Sequence, residues 1–151
     1  MAKLNIIKFG DPLLRKTARP VDAITPRITT LLDDMIETMR DAGGCGLAAP
    51  QVGILRRIAV IEVEDGKVYE LINPKIIAFS GEQRESEGCL SNPGAYGITK
   101  RPKSVIVRAT DRYGKEYELR GTDLLARAIC HECDHLDGKL YTDVQIKAIE
   151  E

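Results

Sequence analysis

The sequence predicts a single domain that combines two amphipathic helices with a larger number of β-strands. Its length of 151 residues suits one hydrophobic core. Two segments have apolar residues at helical spacing, and most of the remainder consists of β-branched stretches separated by turn residues. No repeat, linker or low-complexity tract interrupts this pattern. We therefore expect residues 1–151 to form one domain.

The first helix is predicted to begin at Thr25-Pro26, because proline is favoured in the first helical turn. Gly43-Gly44 should end it. Its apolar residues follow helical spacing: Ile28, Leu31, Leu32, Met35, Ile36 and Met39.

Strands are predicted at residues 54–64 and 67–73, with Asp65-Gly66 as the hairpin turn between them. Shorter strands are expected at residues 76–80, 104–110 and 116–120. Residues 91–102 contain two prolines and two glycines, Pro93, Gly94, Gly97 and Pro102, and are predicted to be irregular. The tail after Tyr141 is expected to form one short helix or to fray.

The second helix is predicted to start at Thr122 or Asp123 and to end at Gly138. Its apolar side comprises Leu124, Leu125, Ala128 and Ile129. The sequence HECDH, residues 131–135, lies in its last turns.

Composition narrows the class of protein. The 22 basic and 23 acidic residues are mixed along the chain, which argues against nucleic-acid or membrane binding. No stretch of 18 apolar residues occurs, and the charges at Lys3, Lys8 and Asp11 argue against a signal peptide. We therefore expect a cytoplasmic protein. Its four cysteines then favour metal ligation, a reactive thiol or burial over disulfides.

HECDH has the spacing of a helical metal site. His131 and His135 are four residues apart, so both rings can reach one ion. Glu132 can contact a water on that ion without binding the ion itself, as a general base must. An arbitrary pair of histidines at this spacing is more often a solvated helix end, but HExxH favours metal.

A catalytic site needs a third protein ligand. Cys130 and Cys133 lie about 100° and 200° around the helix from His131, so we expect both to be buried rather than to bind metal. Cys89, in the loop-like segment EGCLSNPG, is the most economical third ligand, although a cysteine after a glycine is more often a core residue.

Residues 44–53, GCGLAAPQVG, predict close approach of the backbone to another group. Gln51 offers an amide donor to a polarised carbonyl. A phosphate loop is unsupported, because no Gly-Lys-Ser/Thr ending follows. The alternative is a tight turn packed against a sheet.

Together, GCGLAAPQ at 44–51, EGCLS at 87–91 and HECDHLDG at 131–138 resemble the three signature motifs of the peptide deformylase family, in the same order and at similar spacing. The likeness extends to IIKFGDPLLRKTARPV near the N-terminus and to Arg101-Pro102. Cys130 departs from the family, in which many members have glutamine, and we expect it to tune the site without removing activity. The short tail also makes a long C-terminal helix doubtful.

The resemblance implies an α+β fold in which antiparallel β-sheets pack around a central helix carrying HECDH. It implies a hydrolase that removes the N-formyl group from the N-terminal formylmethionine of newly synthesised polypeptides and releases formate. Cys89, His131 and His135 would bind one divalent metal ion, Fe(II) in the family's usual state, with zinc, nickel or cobalt as other occupants. Formylated nascent peptides would be the partners; ribosome association would follow from the family's role, but no basic segment argues for it.

The resemblance also assigns roles. Glu132 would act as general base, and Gln51 and the Leu90 N–H would stabilise the oxyanion. Apart from the resemblance, a metal-bound imidazole needs a partner that fixes its tautomer, and Glu87, with Arg101, is the candidate to orient a histidine. Helical spacing places Leu124, Arg127 and Ala128 on the His131 side of the helix, where they would line the substrate pocket with Cys45 opposite and Gly46 as a backbone partner.

Two alternatives remain open from the residues. An HExxH endopeptidase would need a carboxylate or a third histidine as ligand, yet the chain has only two histidines. A structural Cys2His2 site would use Cys45 or Cys130 as a further ligand and would leave no position for water.

Overall fold

A computed structural model describes residues 2–149 as two α-helices and eight β-strands. The helices are α1 (Pro26–Asp41) and α2 (Asp123–Leu136). The strands are β1 (Gly46–Ala48), β2 (Ile58–Glu64), β3 (Lys67–Ser80), β4 (Gln83–Cys89), β5 (Asn92–Arg101), β6 (Ser104–Thr110), β7 (Glu116–Thr122) and β8 (Gln145–Ile149). Short 3-10 helices cover Pro12–Arg15, Ala49–Val52 and Tyr141–Asp143.

The strands form two antiparallel sheets. One has five strands in the order β1-β2-β3-β6-β7, and the other has three in the order β4-β5-β8. Helix α2 contacts strands of both sheets, β2 and β7 in the first and β5 in the second. The predicted α+β class, with antiparallel sheets around the helix that carries HECDH, is therefore confirmed.

The five-stranded sheet is covered on both faces. Ala59 and Ile61 of β2 belong to the core formed with α2, whereas Ile58 and Val60 belong to the core formed with α1. Side chains of a strand alternate between faces, so β2 is buried on both sides and carries a continuous apolar run. This packing fixes α2, and with it HECDH, against a rigid sheet.

Both helices and the first hairpin match their predictions. Helix α1 starts at Pro26 and is followed by Gly43, whose φ of +72° suits a helix end. Helix α2 has Thr122 as its N-cap, and Gly138 follows it with φ of +74°. Gly66 takes φ of +85° in the turn between β2 and β3.

Strand β3 corrects two predictions. It runs unbroken over 14 residues, so the strands expected at 67–73 and 76–80 are one. Asn73 has φ of +52° and the register shifts between Ile72 and Lys75, which marks a bulge that accommodates Pro74. In addition, β2 begins at Ile58 rather than at residue 54.

The irregular segment expected at residues 91–102 is wrong. It is mostly strand β5, which pairs with β4, so Cys89 ends a strand and does not lie in a loop. The tail expectation is also wrong beyond Tyr141–Asp143, because residues 145–149 form β8 beside β5. Residues 150 and 151 lie outside the described part. Within residues 2–149 no helix is long and apolar enough to cross a membrane.

Candidate active site

Three side chains meet where the end of β4 approaches the last turns of α2. Cys89 Sγ lies 3.3 Å from His135 Nε2, which lies 3.1 Å from His131 Nε2. The donor atoms of the three residues are all within 4.8 Å of one another. The structure therefore brings together the sulfur and the two imidazoles that the sequence proposed as ligands.

The chemistry of this group fits a metal ion. His131 Nδ1 lies 2.5 Å from Glu87 Oε2, which turns Nε2 toward the cluster; when the ring is neutral with its proton on Nδ1, the Nε2 lone pair is available to a metal. Around a tetrahedral ion, ligand nitrogens would be about 3.3 Å apart, and nitrogen and sulfur about 3.5 Å apart. The observed spacings are close to these values. Two ring nitrogens and a sulfur at these spacings form a donor set that can hold one metal ion.

The surroundings also attract positive charge. Burial opposes protonation of His131, yet Glu132, Cys89 and Glu87 together outweigh it and raise the pKa of His131 well above its ordinary value. The pKa of His135 is instead lowered, by burial and by its neighbour His131. The two imidazoles therefore differ in how readily they take up a proton.

Behind His131, Glu87 is held by buried donors. Arg101 donates to it through Nη2 at 2.7 Å, and Thr99 donates its hydroxyl at 2.8 Å. Burial alone would raise the pKa of Glu87, but the hydrogen bonds from His131 and Arg101 lower it to about 2. Arg101 also reaches Asp134 at 2.6 Å. The sequence proposed Glu87 and Arg101 but missed Thr99 and Asp134.

Glu132 lies beside the ligand cluster and is only 3% exposed. Burial raises its pKa to about 7, near the range that suits a general base at neutral pH. Its Oε1 atom has no hydrogen-bond partner, and its other oxygen lies against Gly46 of β1. The carboxylate is therefore free to accept a proton.

Gln51 reaches the ligand cluster through its side-chain amide, next to Cys89. Its Oε1 accepts from the Ala48 N–H at 3.0 Å, and its Nε2 donates to Ser91 Oγ at 3.0 Å and to Cys89 Sγ at 3.5 Å. The amide is thus oriented with its hydrogens toward the site. Leu90 follows Cys89 in the turn to β5 and lines the same cavity. Ser91 was not anticipated.

A cavity of about 440 Å³ opens beside these groups. The five residues expected around the substrate all line it: Cys45, Gly46, Leu124, Arg127 and Ala128. Residues 92–96 of β5 form another part of the wall, which sequence reasoning missed because the segment was expected to be irregular.

The other cysteines lie apart from the ligand cluster. Cys130 and Cys133 are buried in the core between α2 and the five-stranded sheet, as expected. Burial raises the pKa of Cys130 to about 11. Among residues 2–149, the His/Cys/Asp/Glu group suited to a metal contains Cys89, His131 and His135, with neither Cys45 nor Cys130.

Tyr141 supports the site from behind and was also missed. Its ring stacks on His131 with centroids 6.1 Å apart and contacts Phe9 at 5.8 Å. Asn92, in the cavity wall, donates to the Tyr141 hydroxyl at 3.0 Å. The only signal available in the sequence was an aromatic residue shortly after HECDH.

Comparison with known proteins identifies the family. A family model described as polypeptide deformylase matches residues 3–150. The chain belongs to the polypeptide deformylase family. Among curated deformylases, that of Alkaliphilus metalliredigens is 61% identical over 137 residues, which cover 91% of this chain and 92% of the relative. That of Lachnoclostridium phytofermentans is 56% identical over 145 residues, 95% of this chain and 89% of the relative.

Solved deformylase structures share the fold. The enzyme from Legionella pneumophila has a TM-score of 0.92 at 43% identity, with 94% of this chain and 85% of that chain covered. The enzyme from Thermotoga maritima has a TM-score of 0.91 at 38% identity, with 95% and 97% covered. These likenesses support deformylase activity, and neither the endopeptidase nor the structural metal site is favoured.

Proposed function

We propose that this chain removes the N-formyl group from the formylmethionine that begins newly synthesised polypeptides, with Cys89, His131 and His135 holding one divalent metal ion. The observation that carries the proposal is the close group of one sulfur and two imidazole nitrogens beside an unpaired, buried Glu132 carboxylate. Three protein ligands leave a position for water, as catalysis requires.

Cys89, His131 and His135 would hold the ion, which would supply Lewis acidity to a water molecule and to the formyl carbonyl. Glu132 accepts the proton of the attacking water and later passes it to the leaving amine. Its raised pKa, about 7, suits both steps, because the carboxyl group can exist in either state near neutral pH. The products are formate and a peptide with a free amino group.

Charge that develops on the carbonyl oxygen needs donors. Gln51 Nε2 and the backbone N–H of Leu90 fill this role in our proposal. The Gln51 contact with Cys89 Sγ, at 3.5 Å, is the longer of its two, so a carbonyl oxygen can replace it while the contact with Ser91 keeps the amide in place.

The substrate would bind in an extended form. Strands β1 and β4 are each at the edge of a sheet, and both contribute backbone to the cavity. Gly46 on β1 offers main-chain groups, which bind a peptide without demanding a sequence. Leu124 and Ala128 of α2, with Cys45 opposite, would contact the methionine side chain.

We propose Fe(II) as the resident ion, with zinc, nickel or cobalt as competent replacements. The mixed thiolate and imidazole ligands suit all of these metals, and affinity alone would rank Fe(II) below the others, so occupancy by iron depends on which metal is available to the protein. Metal analysis after anaerobic purification would decide: a preparation that is active with zinc and contains no iron would refute the assignment.

Formate release from formyl-Met peptides tests the activity directly. Glu132→Gln should keep the metal and lose nearly all turnover, since the amide cannot accept a proton; a variant with wild-type rate would refute the general base. Cys89→Ser should impair metal retention, whereas Cys133→Ser, in the core, should not. Equal metal loss in both would mean that the wrong sulfur has been assigned.

We further propose that residues 1–151 act as one catalytic domain in the cytoplasm, where formylated nascent chains are made. The net charge of −1 gives no reason to expect nucleic-acid or membrane binding. Co-sedimentation with ribosomes, with and without formylated nascent chains, would test whether the enzyme associates with the ribosome or only with the peptide.

A further inference from the structure

Arg127 is the only lysine or arginine among the side chains that line the cavity. Two carboxylates also line the cavity. Glu87 is already paired with Arg101, and Glu132 lies buried beside the ligand cluster. Within residues 2–149, Arg127 forms no ion pair, and its guanidinium donates to the side-chain oxygen of Gln83 at 2.9 Å. The cavity therefore has one positive charge that no carboxylate neutralises.

Gln83 fixes this charge without cancelling it. The side chain of Gln83 is 7% exposed, and its Nε2 donates to the backbone carbonyls of Pro102 and Asp123, each at 2.9 Å. Because both carbonyls accept from the amide nitrogen, the amide oxygen must face Arg127. A glutamate here would neutralise the arginine and would oppose the two carbonyls. The neutral Gln83 amide therefore positions the Arg127 guanidinium without neutralising its charge.

The position of Arg127 places its charge along the path of a bound peptide. Arg127 precedes His131 by four residues, so the two Cβ atoms lie about 5–6 Å apart on one side of α2. An extended chain advances about 3.3–3.6 Å per residue, so the second and third residues of a formyl-peptide lie roughly 6–10 Å from its formyl group. The neighbouring Leu124 is 43% exposed, which marks this end of the cavity as open to solvent.

We propose that Arg127, held by Gln83, makes the enzyme prefer formyl-Met peptides that carry a carboxylate side chain at the second or third residue. This inference rests on the proposed deformylase function and adds substrate selectivity to it. A carboxylate about 7 Å from the guanidinium, in nearly aqueous surroundings, should gain about threefold in affinity, and a lysine should lose about threefold. The ratio of kcat/KM between acidic and basic peptides should therefore be about ninefold at low salt.

The preference should appear mainly in KM, because the charge interaction is equal in the bound substrate and the transition state. It should also weaken with salt. The Debye length falls from about 30 Å at 0.01 M to about 3 Å at 1 M ionic strength, so the ninefold ratio should approach one across that range. A merely structural role of Arg127 would produce neither effect.

The test uses C-terminally amidated formyl-Met peptides that differ only in Asp, Asn or Lys at the second residue, and a matching set for the third. Arg127→Gln should bring the Asp-to-Lys ratio to about one, and Arg127→Lys should keep most of it. Gln83→Glu should also abolish the ratio, since it places a carboxylate against the arginine. If Gln83→Glu fails to fold, the two Arg127 variants and the salt series decide the question.

The Asn peptide separates this inference from the proposed function. If wild-type protein does not release formate from it, the function itself fails. If the Asn peptide is hydrolysed but the Asp-to-Lys ratio is near one at both positions, or is unchanged in Arg127→Gln, only the selectivity proposal is overturned.

Discussion

Gly46→Ala provides the sharpest test of how the site is built. A Cβ atom at this position would overlap Glu132 Oε2 and would lie 2.9 Å from the carboxyl carbon of Glu132. Ordinary contacts with a Cβ atom begin at 3.4 Å, so the carboxyl carbon must retreat by at least 3.4 − 2.9 = 0.5 Å, and the oxygen by more. Glu132 is buried but lines the cavity, so its carboxylate would retreat into the cavity and away from its present position.

The expected effect is on chemistry more than on folding. A misplacement of about 1 Å can cost about 100-fold in rate, so a shift of half that size or more should lower kcat by about 10- to 100-fold. The added methyl group should cost about 1–3 kcal/mol in the free energy of unfolding. Metal content should be unchanged, because the atoms nearest the new Cβ belong to Glu132 and not to Cys89, His131 or His135.

Formate release, metal analysis and urea unfolding of the same preparation measure the three quantities. Gly44→Ala is the comparison two residues earlier: the atoms nearest its Cβ belong to the Leu90 side chain, so it disturbs that part of the cavity wall and leaves the Glu132 carboxylate in place. A Gly46→Ala protein with wild-type kcat would refute the assignment of Glu132 as the base. Loss of metal from this variant would instead show that the ligands and the base are not positioned independently.

Three further predictions concern the surroundings of the cluster. Arg101→Met should lower the free energy of unfolding by about 3–5 kcal/mol in urea titrations, because it leaves the Glu87 and Asp134 carboxylates without their cation; stability like that of the wild type would contradict this. Tyr141→Phe keeps the ring but loses the hydrogen bond from Asn92, so it should cost about 1 kcal/mol and retain metal; metal loss would point to a direct role for the hydroxyl. Removal of the metal by a chelator should abolish turnover and lower Tm. The circular dichroism spectrum should remain that of a folded protein, because Cys89, His131 and His135 belong to neither hydrophobic core. Unfolding on chelation would mean that the metal is structural.

Helices and strands were predictable from the sequence where their packing requires apolar residues at regular spacing. Helix α1 has one apolar face against a sheet, and β2 has two buried faces, so each carries a regular or continuous apolar pattern. Strand β4 has neither: it is a polar edge strand, and its partner β5 carries Pro93 and Gly94 directly after its first residue. Its existence depends on pairing with distant residues, which no local pattern reveals.

The same distinction holds for the site. Ligands that share a helix, His131 and His135, follow from spacing alone. Thr99 does not, because it reaches Glu87 only through the register in which β5 pairs with β4. Ser91 is likewise defined by where the turn after Cys89 places it relative to Gln51.

The glycines of the signature segments have a steric explanation rather than a conformational one. Neither Gly44 nor Gly46 adopts a left-handed φ, so neither is needed to turn the chain. Each instead lies under a side chain that faces the cavity, Leu90 in the first case and Glu132 in the second. Because neither glycine has a side chain, Leu90 can occupy the space beside Gly44, and Glu132 can occupy the space beside Gly46.

Gly88, next to the ligand Cys89, extends this argument to the other sheet. A Cβ there would lie 2.8 Å from the ring of Tyr96, which crosses over it from β5, and its φ is also outside the left-handed region. At both sheet edges, Gly46 in β1 and Gly88 in β4, a glycine thus leaves room for a side chain from another element, Glu132 in the first case and Tyr96 in the second. Because an added Cβ at either glycine would displace a side chain that lines the cavity, substitution there should alter the geometry of the cavity before it alters the fold.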